Sequence, residues 1–345
     1  MDSKKIFLKD ACPTSIGGQA IMEGIMMRGP EKMAIAVRLP DGSIHMKTEP
    51  TPKASKWAKM PLVRGVVNFV ASLVQGTKVL MYSADILEEH YPEEYEKDKF
   101  DIWIEEKVGK EKAWKILMYI SVVFALVLSV GLFMLLPTVA VGLLGKLTEN
   151  IIVLNLAEGA VRIAIFIAYI ALISKMEDIR TVFKYHGAEH KTIHCFENGL
   201  ELTPENAQQF YTLHPRCGTS FLMFVMVIAV LTHALMGWPN VWLRILSRIL
   251  VLPIIAGVSY ELLKWAGRSD NIIVRTLSMP GIYLQKLTTV EPETKHLEIA
   301  IAAMKAVLAG DSVPYFEGLC DKDGNPIEAE KEEETEADSI EKEVE

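Results

Sequence analysis

Cysteine is scarce. The 345 residues hold four, Cys12, Cys195, Cys217 and Cys320, too few and too scattered for a disulfide framework. Thiol chemistry or metal ligation is the role left open to them. The N-terminal stretch MDSKKIFLKDACPTS lacks the apolar core of a signal peptide, so any membrane insertion is expected to rely on internal helices. Basic excess is missing too, with 36 Lys and Arg against 44 Asp and Glu. Pro326 to Glu345 alone carry ten acids against two lysines, which accounts for the whole net charge of −8 and leaves residues 1–325 balanced at 34 against 34. A whole-surface basic footprint is thereby disfavoured, and no nucleic-acid partner is expected.

What the chain does have is long uncharged runs. Ile116 to Gly145 contains no charged side chain, which exceeds the roughly 20 residues that a helix needs to cross a bilayer. Pro137 is expected to end or kink this first span. Ile151–Ser174 is a second span, with Glu158 and Arg162 four apart on one face and able to pair. Gly218–Met236 and Val241–Tyr260 are a third and a fourth, the former interrupted by His233, read as a hydrogen-bonded packing residue. Arg244 and Arg248 lie near the start of the fourth, where they can snorkel outward. Four spans put both termini on one side. Lys107, Lys110, Lys112 and Lys115 before the first span, and Lys175, Arg180, Lys184, Lys191 and Arg216 between the second and third, make that side cytoplasmic.

The expected fold is therefore mainly α: a polytopic membrane protein of about four transmembrane helices, a small N-terminal β-hairpin region and a disordered acidic tail. Residues 1–60 hold a Gly-rich loop and a hairpin, with Lys32 to Leu39 and Ser43 to Glu49 flanking the turn Pro40-Asp41-Gly42. Residues 61–113 hold an amphipathic helix and a polar linker; the helix lies on the membrane or against the spans, a fifth span being the alternative. The transmembrane domain covers 114–265 with a cytoplasmic His-rich loop at 175–217. A C-terminal segment follows over 266–310, with a short amphipathic helix from Glu293 to Leu308, and 311–345 form the disordered tail.

The most specific motif is His186-Gly187-Ala188-Glu189-His190, followed by His194. At helical spacing His186, Glu189, His190, His194 and Glu197 share one face, and Cys195 points away. Two imidazoles one turn apart can share a divalent ion, zinc foremost, and a neighbouring carboxylate, Glu189, can act as general base on a water that the ion activates. The pattern matches H-x-x-E-H, the signature of inverted zinc proteases. A third protein ligand is then required. His194, His214, Cys217 and Glu261 are the candidates, since the topology brings His214-Pro215-Arg216-Cys217-Gly218 and Ser259-Tyr260-Glu261 to the same membrane boundary. The competing arrangement is a structural zinc corner of His186, His190, His214 and Cys217. Near the N-terminus, four glycines in Gly17 to Pro30 surround Glu23 and Arg28. This stretch reads as a tightly folded loop whose Glu23 or Arg28 could join the same site.

The segments IGGQAIMEGIMMRGP, PLVRGVVNF, KYHGAEHKTIHCFENG, HPRCGTSF, PIIAGVSYELLKWAG and PGIYLQKLTTVEPE together resemble the YqhQ family of bacterial integral membrane proteins, described as predicted metal-dependent enzymes of unknown function. The likeness runs from about Ser15 to about Leu308. It implies that His186, Glu189, His190, His194, His214, Arg216, Cys217, Tyr260 and Glu261, with Glu23 and Arg28, occupy the motif positions, and that the chain sits in the bacterial cytoplasmic membrane. The acidic tail falls outside it.

The leading functional expectation is a divalent-metal-dependent hydrolase, with His186 and His190 as ligands, Glu261 or His194 completing the site and Glu189 as base. Its substrate would be a membrane protein or peptide, or an ester, at the cytoplasmic face of the lipid bilayer. The rival is a non-enzymatic assembly or translocase-associated factor with a structural metal. A transport component is a third possibility that would require oligomers, and the oligomeric state stays open.

Overall fold

The computed structural model describes residues 12–53, 55–90, 99–143, 148, 150–237, 241–266 and 271–327. Five antiparallel strands form a meander in chain order: β1 (Gly17–Ile21), β2 (Gly24–Arg28), β3 (Lys32–Arg38), β4 (Ile44–Pro50) and β5 (Glu317–Cys320). The expected hairpin is present as β3 and β4, with Ala36 opposite Met46. Two expectations are corrected here. The glycine-rich stretch is no loop but the hairpin β1–β2, with Gln19 opposite Met26. Residues 317–320, placed by composition in the tail, pair with β4 as the edge strand, Ile44 opposite Cys320. Residues 328–345 lie outside the described part.

Period-two alternation explains the apolar runs in β2 and β3, because both faces of the sheet are covered. Ile25, Met27, Ala34 and Ala36 face a core shared with α6 (Glu177–Glu197) and α11 (Thr294–Leu308), through Tyr185, Ala188, Leu297 and Ile301. Met26, Met33, Ile35 and Val37 face Val79, Ile86 and Leu87 of α1 (Val63–His90). The C-terminal half of the amphipathic helix thus covers the sheet. Its N-terminal half lies on α9 (Val241–Ala266), where Gly65 and Gly257 allow a backbone approach that a Cβ on Gly65 would obstruct at 2.8 Å.

After α2 (Lys99–Val108), α3 (Lys110–Val130) runs through a π-helical turn at Gly131–Leu135 into α4 (Leu136–Gly142). Pro137 does not end this span, which extends over Tyr119–Gly142. Proline has no N–H for the carbonyl four residues back, and that carbonyl, of Phe133, instead accepts from Arg162 Nε at 2.8 Å. With α5 (Ile151–Ile173) and the stretch Trp242–Ala266 of α9, three described helices are long and apolar enough to cross a membrane. α8 (Gly218–Ala234) is apolar but has 17 residues, about 25 Å of helix at 1.5 Å per residue. The helices α7 (Pro204–Gln208) and α10 (Ile272–Thr288) complete the chain.

Arg248 does not snorkel outward. It turns inward onto Glu158, with Nη2 to Oε2 at 2.8 Å and Nη1 to Oε1, while Arg162 and the Thr138 hydroxyl also donate to Oε1. Arg244 is buried as well. A carboxylate at 1% exposure inside apolar helices needs such partners, and the expected i,i+4 pair with Arg162 meets only part of that need. His233 departs from its expected role: it is buried, yet neither ring nitrogen has a hydrogen-bond partner among the described residues.

Candidate functional site

The polar face of α6 is buried against the loop that precedes α8 and the end of α10. Two glycines permit this closeness. A Cβ on Gly187 would sit 2.3 Å from the Val290 carbonyl oxygen, and one on Gly18 would sit 3.0 Å from the Glu189 carboxyl carbon. The pre-α8 loop is clamped to α10 by a pair of amide bonds, His214 N to Gln285 Oε1 at 2.8 Å and Gln285 Nε2 to His214 O at 2.9 Å.

Backbone carbonyls set the tautomers of the first two histidines. His186 Nδ1 donates to Thr288 O at 2.7 Å, and His190 Nδ1 donates to Thr212 O at 2.5 Å. Each ring therefore presents an unprotonated Nε2 when neutral. His186 Nε2 lies 3.2 Å from Cys217 Sγ. His190 is 1% exposed, and its Nε2 has no hydrogen-bond partner among the described residues. One donor atom from each of His186, His190 and Cys217 falls within 4.8 Å of the other two. A buried imidazole nitrogen with no partner, beside a second imidazole and a thiol, is what a metal site needs. An N–H held by a carbonyl is the usual support of a ligating histidine. These three residues could hold a metal ion.

The electrostatics agree with a thiolate. Burial alone would push the Cys217 thiol up, but His190 and His186 outweigh it and bring it well below the ordinary thiol value. Burial opposes charge on His186 as well, yet Cys217 beside it raises the imidazole to about 9. Glu189 is buried and its carboxyl is raised, by desolvation first, against the pull of His190 and His186. Its Oε1 accepts from Gly18 N at 2.8 Å, so the β1 backbone fixes the carboxylate beside the triad without its belonging to it.

A second cluster lies one turn further along α6: His194, Glu197 and His214, also within 4.8 Å of one another. Its hydrogen bonds give it a different character. His194 Nε2 donates to Leu213 O at 3.0 Å, and His214 Nδ1 accepts from Arg216 N at 3.3 Å, so His214 turns a protonated Nε2 toward Glu197 Oε2 at 3.8 Å. Glu197 Oε1 already accepts from Thr14 N at 2.8 Å and from Arg216 Nη2. Burial lowers His194 to about 4 and His214 to about 3, keeping both neutral. For Glu197 burial works the other way, but His214, Thr14 and Arg216 hold it at about 2. This cluster fastens the 12–18 segment to α6 and to the loop carrying Arg216, whose Nη1 also donates to Thr14 O at 2.9 Å.

Between the clusters and β1 lies a cavity of about 270 Å³, lined by Gly17, Gly18, Glu189, His190, Arg216 and Cys217 among others. The expected site residues therefore divide. His186, Glu189, His190, His194, His214, Arg216 and Cys217 converge. Glu261, weighed as a third ligand, is engaged elsewhere: Arg64 binds both its oxygens, with Nε to Oε1 at 2.7 Å, and Leu62 N donates at 3.2 Å. Glu23 occupies the β1–β2 turn at φ 46°, within 3.4 Å of the Tyr185 hydroxyl, and Arg28 ends β2 opposite Gly17 and Met33. Neither joins the histidines. Glu197 was legible as a member of the α6 face but not as the anchor of Arg216. The carbonyls of Thr212 and Thr288 and the N–H of Gly18 leave no mark in a sequence.

The family described as a protein of unknown function, DUF1385, matches residues 60–310. A protein of Bacillus subtilis (strain 168), the uncharacterized protein YqhQ, is 34% identical over 308 residues, covering 87% of this chain and 94% of its own. No solved structure matches.

Proposed function

The chain belongs to the DUF1385 family and, by its likeness to YqhQ, to the YqhQ family, and on that premise we propose that it is a membrane-bound, divalent-metal-dependent hydrolase. His186, His190 and Cys217 would hold the ion, zinc by the softness of a thiolate and two imidazoles. The observation that carries this reading is the pair of imidazoles whose Nδ1 protons are both tied to backbone carbonyls, leaving Nε2 directed at the Cys217 side. Three protein donors beside a cavity suit a site with an open position better than a closed structural one.

An ion there would supply Lewis-acid polarisation. The remaining work falls to the chain. Glu189, held by Gly18 N–H, takes a proton from a water whose oxygen attacks the substrate carbonyl carbon, and returns that proton to the leaving oxygen or nitrogen as the bond breaks. Burial of Glu189 favours its proton-accepting role near neutral pH. α8 acts as a fourth span, which puts both termini and the site on the cytoplasmic side of a bacterial membrane; the basic residues on α6 and around the start of α3 support that orientation. His194 and His214 act as supports and not as ligands.

A structural metal serving assembly is the second reading, favoured by the near-complete burial of His190. Glu189→Gln separates the two. A hydrolase loses complementation of a deletion strain and hydrolysis of ester or peptide probes while keeping fold and metal, whereas an assembly factor keeps complementation.

A further inference from the structure

A larger cavity of about 610 Å³ lies beside the one at the triad, within the size range of small-molecule sites. Its walls are mostly apolar, built from Phe69, Leu73 and Leu80 of α1, Phe221 and Leu222 of α8, and Leu263 of α9. Gly218 lines both cavities. They also share two short runs of backbone. Gly18 holds Glu189 on one side while its neighbour Gln19 lines the larger cavity on the other, where Nε2 reaches Gly76 O at 3.4 Å. Cys217 faces the triad while Thr219, two residues on, lines the larger cavity and donates its hydroxyl to Sγ at 3.3 Å.

From this juxtaposition we propose that the substrate is a lipid acyl ester, its chain lying in the α1–α8–α9 groove and its carbonyl at Glu189 and Cys217. Leu73, Leu80 and Leu222 line the groove and are exposed, so its rim presents apolar side chains at the surface of the helices. A chain dissolved in a bilayer can enter there without crossing an aqueous phase. Most polar side chains in the groove are already engaged, Asn68 with the Tyr260 hydroxyl at 2.8 Å and the Thr77 hydroxyl with Leu73 O at 2.9 Å, so little is offered to a peptide backbone. Hydrolysis adds water across the ester: the hydroxyl oxygen joins the acyl carbon, the acyl C–O bond breaks, and the proton taken by Glu189 leaves on the alcohol.

The inference rests on the hydrolase reading, so its test must fail separately. The probe is a lysophosphatidylcholine with a diazirine in its palmitoyl chain, added to the full-length protein in nanodiscs. Photolabel is expected on peptides carrying Phe69 to Leu73 and Phe221 to Leu222. Ser72→Trp and Leu222→Trp, which fill the groove from its exposed side, are expected to lower that labelling about tenfold with metal content unchanged. The free diazirine-bearing acid should be released from unphotolysed probe by wild type and not by Glu189→Gln. Label spread evenly over helices such as Tyr119–Gly142 and indifferent to both tryptophans would overturn the acyl site. Groove labelling in a protein without metal would retain that site and remove the hydrolase reading.

Discussion

His186 Nε2 and Cys217 Sγ stand 3.2 Å apart across 31 residues of chain. The contact joins the start of α8 to the middle of α6, and it exists because Thr288 O holds the imidazole from behind and because Gly187 lets α6 approach the segment after α10. The same two side chains join the two helices and, in the proposed function, hold the ion.

The two clusters on α6 are predicted to behave differently. Glu197→Gln removes the anion that Arg216 and Thr14 N–H share, and should cost about 1–3 kcal/mol. Its metal content should match wild type. Thermal unfolding and metal analysis on one preparation check both, and loss of the ion with Glu197→Gln would make the second cluster a ligand set.

Inside the apolar helices, Arg248→Met deprives a fully buried Glu158 of its two-pronged partner and is expected to destabilise the protein by about 3–5 kcal/mol. Arg248→Gln with Glu158→Gln should cost less than Arg248→Met alone, because no uncompensated charge is left. Unfolding in a single detergent would settle the order, and a double variant weaker than the single one would contradict it.

Acidification should weaken the sheet region before it reaches the carboxylates. Burial lowers His296 from 6.5 to about 4, and the ring packs edge-on against Tyr185 at 4.7 Å with Nδ1 accepting from Glu293 N. Between these values the unfolded chain binds the proton and the folded one does not, so the contribution of His296 to stability falls as pH drops from about 6.5 toward about 4 and is flat above. His194 and His214 act in the same direction. His296→Gln should therefore show a shallower decline of melting temperature over that window, while an unchanged slope would exclude His296 as a contributor.

Periodicity made the apolar helices, α1, α11, the β3–β4 hairpin and the shared face of α6 legible, but not α2, α7 or α10. It failed where pairing is long-range. β1 and β2 are short and rich in glycine, so their composition resembled a loop, although their partners make them strands. β5 is separated from β4 by most of the chain and contains too few apolar residues to announce itself. Glu261 was placed at the correct end of its helix, yet nothing local indicates that Arg64 would claim it. For the site, the imidazoles and the thiol were readable because side chains carry that chemistry. Their supports are peptide groups, which every residue possesses.

Metal content of the purified full-length protein tests the central claim most directly. Wild type is predicted to hold about one zinc or similar divalent ion per chain, His186→Ala, His190→Ala and Cys217→Ala to lose it, and Glu189→Gln to keep it. Stoichiometric metal in the double variant His186→Ala with His190→Ala would contradict the account.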